Sequence, residues 1–564
     1  MSDLRYTRRH QGVARVVFVS LLGIAALAAV AWTYREPIIL FAVSKHMDGR
    51  VQAGPFRDIN WSVTRREGPP LGPADSGNRP PNVLLIVADD LGWNDISLNG
   101  GGIGRGIVKT PNIDAIAREG AVFTNGYAAN ATCAPSRAAL MSGRYGTRFG
   151  FEFTPTPAGM MTVTSLARDG REAIRSPIVH EVSGVEYEEM GMPNSEVTIA
   201  ELLAAKGYHT MHIGKWHLGM ANGMDPRSQG FADSLQMISG LYMPEDHPDV
   251  VNAKQDFDPI DRFLWASMRY AVSFNGEVFK PDIYQTDYFS REAVRAIEAH
   301  KDEPFFLYLA YWAPHTPLQA AREDYEALEG IELHRERVYG AMVRSLDRGV
   351  GQVMQTLRTH GLDENTLVMF TSDNGGAGYI GLPEVNEPYR GWKITLFEGG
   401  IHVPYFVKWP AQIPAGTVFE KPVQHFDLYA TAAAAGGSDL PQDRVMDGVD
   451  LLPHLQGLAG DQPHRELFWR SGASQSALVD GWKLNTSDPP GRSWLFNLSE
   501  DPTEQNDLAE QNPSKVAELQ AALARHNAAQ APPAWGSQAS FPINIDKDRS
   551  LPDAEGDEFI YWSN

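Results

Sequence analysis

Four short apolar runs mark the chain: Val83 to Val87, Tyr208 to Ile213, Phe305 to Tyr311 and Leu367 to Phe370, each bounded by turn residues. Mostly apolar runs of this length predict strands buried on both faces, as a parallel sheet requires; one solvated face would produce alternation. Helical patterns lie between them: Thr110-Pro111-Asn112 leading to Gly120, Val197 to Lys206 closed by Gly207, and Ser290 to His300. Strands alternating with helices predict an α/β class, with a mixed, mainly parallel sheet sandwiched by helices. After Ala435-Gly436-Gly437 the pattern changes to short strands, Trp482-Lys483-Leu484 and Trp494 to Leu498, closed by a helix over Val516 to His526. This predicts a smaller C-terminal α+β subdomain built on an antiparallel sheet.

A further apolar run, Val16 to Trp32, follows Arg5, Arg8, Arg9 and Arg15. The positive flank keeps the N-terminus cytoplasmic and sends the remainder across a membrane, to a periplasmic or other extracytoplasmic face. Ala26-Leu27-Ala28 and Ala29-Val30-Ala31 permit cleavage. The run nevertheless exceeds the roughly 7 to 15 residues of a signal-peptide core, which favours an uncleaved anchor. The predicted organisation is an anchor or signal segment (1–35), a linker (36–81) rich in Pro and Gly at 68–73 and 79–81, a catalytic domain (82–435), the C-terminal subdomain (436–530) and an acidic tail (531–564). The tail's composition predicts partial disorder, with Phe559 to Trp562 available to dock on the body.

Composition narrows the classes. With 43% hydrophobic residues in 564, the chain is globular, and a formal charge of −21 argues against broad nucleic-acid binding. The single cysteine, Cys133, excludes intramolecular disulfides.

A lone cysteine is ordinarily a small buried hydrophobe, but this one opens Cys133-Ala134-Pro135-Ser136-Arg137, with Leu140, Gly143 and Arg144 in register. Pro135 suits the first turn of a helix, so Cys133 is predicted at a helix N-terminus, where orphan N–H groups favour a tetrahedral anion. The motif resembles the signature of type I sulfatases, which share the alkaline-phosphatase-like fold. The resemblance implies that Cys133 is converted to formylglycine by a maturation enzyme, and that the aldehyde hydrates so that one geminal hydroxyl attacks the sulfur of a sulfate ester.

Each apolar run leads into a polar cluster, and open α/β sheets bind ligands outside the carboxyl ends of their strands. Asp89-Asp90 and Asp373-Asn374 form an oxygen-rich set suited to a hard cation, and the lack of other cysteines argues against a thiolate zinc site. By resemblance the cation is one Ca²⁺. Gly214-Lys215-Trp216-His217-Leu218-Gly219 matches a second sulfatase hallmark: Lys215 is then a sulfate-binding cation, and His217 helps take the proton from the remaining geminal hydroxyl. Pro314-His315-Thr316-Pro317 follows the third run, and the resemblance implies that His315 lies beside the leaving oxygen as general acid. Lys393, before Glu398-Gly399-Gly400, matches a lysine that contacts sulfate; Arg137 would stabilise the hydrated aldehyde, and Asp373 would bridge metal and nucleophile. The resemblance extends from about Asn82 to Arg525. Trp392 and His402 depart from it, where glycine and arginine are common, and put substrate preference in question. The family's additional serine or amide ligand of sulfate is unassigned.

Two stretches, 151–187 and 244–280, read as insertions. Phe257, Phe263, Trp265, Tyr270 and Phe274 in the second suit the packing of a small helix, Ile260 to Tyr270, better than stacking on a sugar or aryl ring. The expected substrate is a sulfated small molecule or sulfated glycan. Two alternatives remain at this stage: a phosphodiesterase or phosphonate monoester hydrolase of the same superfamily, and a non-catalytic binder of sulfated glycans.

Overall fold

The computed structural model describes residues 35–61, 79–157, 160, 174–175, 185–537 and 539–564. The apolar run Val16 to Trp32 lies outside the described residues, as does most of 158–184. Among the described residues no helix is long and apolar enough to cross a membrane.

The four apolar runs become β1 (Asn82–Ala88), β2 (His209–Gly214), β3 (Phe305–Ala310) and β4 (Thr366–Ser372). They lie side by side in the order β2-β3-β1-β4, all parallel, at the heart of a ten-stranded sheet. Antiparallel strands appear towards both edges, 405–408 beside β4 and 270–274 beside 233–240. Both faces are covered, which is why β1 is apolar from Val83 to Ala88: Leu84 and Ile86 enter one core, whereas Val83, Leu85 and Val87 enter the other. Each such side chain contributes about 1.5–3 kcal/mol on burial.

Three helices matter for the site: α1 (Arg35–Arg50), α2 (Cys133–Ser142) and α3 (Pro259–Ser267). α1 falls within the stretch whose composition predicts a linker. Ile39, Leu40 and Val43 of α1 pack on Phe263 and Leu264 of α3, and further along Ile59 and Trp61 are buried, Trp61 edge-on to Phe274 at 5.1 Å. A few well-spaced apolar residues thus fix a segment that looks like a connector. The predicted helix Ile260 to Tyr270 stops at Ser267, because Tyr270 begins the strand 270–274.

The C-terminal sheet is a four-stranded antiparallel meander, 466–471, 474–479, 482–487 and 492–497, backed by the helix Pro513–Ala528. Lys483 anchors it: its Nζ lies 2.7 Å from Glu398 Oε1 and 3.0 Å from Glu504 Oε1, all three residues buried. The tail, predicted partly disordered, instead pairs Ala539–Asn544 with Phe559–Ser563. Phe541, Ile543, Ile560 and Trp562 bury enough apolar surface to order it despite the acidic loop between.

Candidate active site

Because β1 to β4 run parallel, their carboxyl ends deliver side chains to one place. Asp89 and Asp90 follow β1, Lys215 follows β2, His315 follows β3 at a short distance, and Asp373-Asn374 follow β4. The approach at β2 requires glycine: Gly214 has φ +109, and a Cβ there would lie 1.9 Å from the Ala310 carbonyl oxygen of β3. Asp90 and His217 also hold positive φ, 62° in each case, a conformation unusual for non-glycine residues and common where a site imposes its own geometry.

Cys133 is the first residue of α2, after an extended Thr132, with Pro135 in the first turn and Gly143 closing the helix in the left-handed region. Its Sγ is 3.1 Å from Lys393 Nζ and 3.5 Å from Asp89 Oδ1. One turn on, fully buried Arg137 donates from Nε to Asp373 Oδ2 at 2.8 Å, from Nη2 to Asp89 Oδ2 at 3.2 Å and from Nη1 to the Tyr308 hydroxyl at 3.1 Å. Lys215 Nζ lies 2.7 Å from Asp89 Oδ2, and Lys393 Nζ lies 2.6 Å from Asp90 Oδ1 and 3.3 Å from His315 Nε2. Three buried carboxylates therefore face three cations, which is how so many charges tolerate exclusion from water.

The electrostatics follow from this crowding. Burial raises the Asp89 carboxyl to about 7, with neighbouring Asp373 adding to the effect. Burial also acts on Asp90 and Asp373, but Lys393 and His315 hold the first below the usual carboxylate range, and Arg137 with both lysines holds the second far below it. The Cys133 thiol is pushed well up by burial and by Asp373, so the unmodified side chain is a poor source of thiolate. Burial lowers His315 to about 3 against the pull of Asp90. His217 is lowered well below its ordinary value by burial and by Lys215, and its Nδ1 is buried with no partner.

All ten residues singled out in the sequence thus meet in one cluster or at its rim. The acidic set fits a hard cation. Asn374 Nδ2 donates to Asp90 Oδ1 at 2.8 Å, whereas its Oδ1 is buried with no partner. A carbonyl oxygen left without a hydrogen bond beside three carboxylates matches what an oxygen-seeking cation takes up.

Several residues here escape the motifs. Tyr379 donates to Asp90 Oδ2 at 3.1 Å; Trp312 stacks on His315 at 3.9 Å and lies 4.7 Å beneath Lys215 Nζ; the Tyr242 hydroxyl donates to the carbonyls of Trp312 and His315. His425 bridges Ser136 and Thr371 behind Arg137. Trp312 directly follows the run Phe305 to Tyr311 and precedes His315, whereas Tyr379, Tyr242 and His425 were carried by none of the motifs read from the sequence.

The site thus joins a cysteine at a helix N-terminus to a buried set of cations and carboxylates at the carboxyl ends of a parallel sheet. The Sulfatase family profile matches residues 81–438, and the chain belongs to that family. Mouse N-acetylgalactosamine-6-sulfatase is 34% identical over 410 residues, covering 72% of this chain and 71% of its own length. The crystal structure of Ps i-CgsB in complex with k-i-k-neocarrahexaose superposes with a TM-score of 0.67 at 31% identity, over 81% of this chain and 95% of that one. The phosphonate monoester hydrolase of Agrobacterium radiobacter, at 19% identity and a TM-score of 0.54 over 79% of this chain and 95% of that one, shares the fold.

Proposed function

We propose that this sulfatase uses Cys133, converted to formylglycine by a maturation enzyme, at a single Ca²⁺ held by Asp89, Asp90, Asp373 and Asn374. The modified residue would supply the nucleophilic oxygen, and the cation would supply positive charge beside it. The observation that carries the reading is the convergence of Lys393, Asp89 and Asp90 on Cys133 Sγ at the start of α2.

The chain's own residues divide the remaining work. Lys215 and Lys393 present ammonium groups to the sulfate oxygens, and the N-terminal amides of α2 add donors. Arg137 holds Asp89 and Asp373 in fixed orientation through its fork of donors. His315 donates from Nδ1 to the Thr316 carbonyl at 2.6 Å, leaving Nε2 facing the pocket to hand a proton to the leaving oxygen. It gains that proton together with an anionic substrate, whose charge opposes the burial that otherwise keeps the ring neutral. His217, with a ring nitrogen lacking a protein partner, accepts a proton as sulfate is released. Val16 to Trp32 tethers this machinery to a membrane on its extracytoplasmic side.

The test is the mass of the peptide spanning Cys133, from protein made with a formylglycine-generating enzyme, combined with rates on 4-nitrophenyl sulfate and a 4-nitrophenyl phosphodiester. Exchange of thiol for aldehyde and a dominant sulfate rate are expected. An intact thiol, or a faster phosphodiester rate, overturns the proposal.

A further inference from the structure

The cluster around Cys133 forms the floor of a cavity of about 750 Å³. Cys133, Lys215, His315 and Lys393 make the polar end, and beyond them the wall becomes apolar. Met160, Met190, Met237, Met268 and Phe263 line it, with Trp562 at one side. Two of these walls lie outside the family match at 81–438: α1 contributes Val43 and Met47, and the C-terminal hairpin contributes Trp562. The floor and the methionine wall therefore lie within the family match, and α1 and the C-terminal hairpin complete the chamber from outside it.

Several of the chamber's polar groups are engaged within the wall. Asn564 donates to Thr156 Oγ1 at 2.6 Å and accepts from the Thr154 amide at 3.0 Å; Thr156 donates to the Thr154 carbonyl at 2.8 Å. Ser239 accepts from the Arg269 amide at 2.7 Å, and Arg50 pairs with Glu188. A sugar ring brought here would lose water from several hydroxyls against a mostly apolar wall, whereas an apolar frame loses nothing by entering. Methionine suits such a wall, because its unbranched, polarizable side chain adapts to a bulky guest. The volume falls within the roughly 300–1,000 Å³ of sites that enclose a small molecule. An apolar alcohol carrying one sulfate is also an amphiphile, and α1, which closes the chamber, follows in sequence directly after the apolar run 16–32.

We infer, building on the sulfatase reading above, that the alcohol released by this enzyme is bulky and apolar, a fused-ring frame in place of a sugar, and that α1 and the C-terminal hairpin form its binding chamber. Binding to the full-length Cys133→Ala protein tests this independently of turnover, with dehydroepiandrosterone sulfate as the fused-ring probe and N-acetylgalactosamine 6-sulfate as the sugar probe. The fused-ring probe is expected to bind at least about tenfold more tightly. Met237→Glu should cost that probe roughly tenfold and the sugar probe little, within the range typical of pocket contacts. Met237→Leu should restore the preference, and Met47→Glu on α1 provides a second site should the strand variant fail to fold. Equal or tighter binding of the sugar sulfate, or equal weakening of both probes by the glutamate variants, overturns the chamber assignment. If the predicted binding holds while matured wild-type enzyme hydrolyses neither probe nor 4-nitrophenyl sulfate, the chamber stands and the proposed chemistry falls.

Discussion

The central sheet carries a buried ionic cluster at each end, and the two differ in kind. At the carboxyl ends lie Asp89, Asp90, Asp373, Arg137, Lys215 and Lys393. At the amino ends, His209 at the start of β2 bonds Asp233 at 2.9 Å and stacks on His300 at 3.6 Å, and His300 reaches Glu303 and the Trp61 carbonyl. Asn275 completes that set, donating to Asp233 at 2.8 Å. Burial is equally deep at both ends, so burial does not distinguish a site from a strut. Unfinished bonding does: Asn374 Oδ1 and His217 Nδ1 lack partners among the described residues beside the carboxyl-end cluster, whereas none of the buried polar side-chain atoms of His209, Asp233 or His300 is left without one. A set closed on itself locks the N-terminal arm to the body; a set left open is ready for a ligand.

The largest expected contrast comes from Cys133→Ala. It should lower sulfate-ester turnover by at least about 10⁴-fold, as loss of a nucleophile does, with thermal unfolding nearly unchanged because only one small buried group is removed. Steady-state rates and a melting curve on the same preparation check it. Residual turnover within tenfold of wild type would move the nucleophile elsewhere.

Next is Asn374→Ala, which removes the orphaned oxygen. Ca²⁺ affinity measured by calorimetry should fall by roughly 10–100-fold, the range seen when groups shaping a metal site are altered. Prior treatment with a chelator should abolish wild-type turnover, and Ca²⁺ should restore it. Undiminished Ca²⁺ binding by the variant would remove Asn374 from the ligand set.

At the opposite end, Asp233→Ala should do the reverse. It strands His209 and Asn275 in a buried setting, so chemical denaturation should show a loss of about 3 kcal/mol, while kcat/KM per folded molecule stays at the wild-type value. A selective loss of activity would mean that the two ends are coupled.

The two clusters were unequally legible in the sequence. β1, β3 and β4 announced themselves because strands buried on both faces have few polar interruptions, and each led into residues whose types carry chemistry; β2, with His209, Thr210 and His212, was the least apolar of the four. His209, Asp233 and His300 come from a strand start, a neighbouring strand and a helix end, so only the folded chain brings them together. The same holds for Tyr379 and Tyr242, whose hydroxyls matter through tertiary position alone. α1 was missed for a different reason: Arg35 to Arg50 mixes charge and apolar residues too evenly to announce a buried face, and it is held by Ile39, Leu40 and Val43 meeting α3 together with the pairing of Glu36 with Arg262 and Asp48 with Arg269. The tail misled because composition averages its acidic loop with the buried aromatic strands on either side.

Asp261 offers the smallest effect and the cleanest control, since it is buried in α3 and forms no ion pair among the described residues. Burial raises its carboxyl to about 8, against the lowering influence of the Gln255 amide, which donates to it at 2.7 Å. Unfolded, the group titrates near its ordinary ~3.9. Between those values the folded chain holds a proton that the unfolded chain has released, so this residue's contribution is most favourable below pH 4 and is progressively lost as pH rises towards 8. Asp261→Asn keeps the acceptor and removes the titration. The variant should therefore melt higher than wild type at pH 8, by a few degrees, with the gap narrowing as pH falls towards 4. A gap independent of pH would mean that the carboxyl is ionised in the folded protein and that something other than burial governs it.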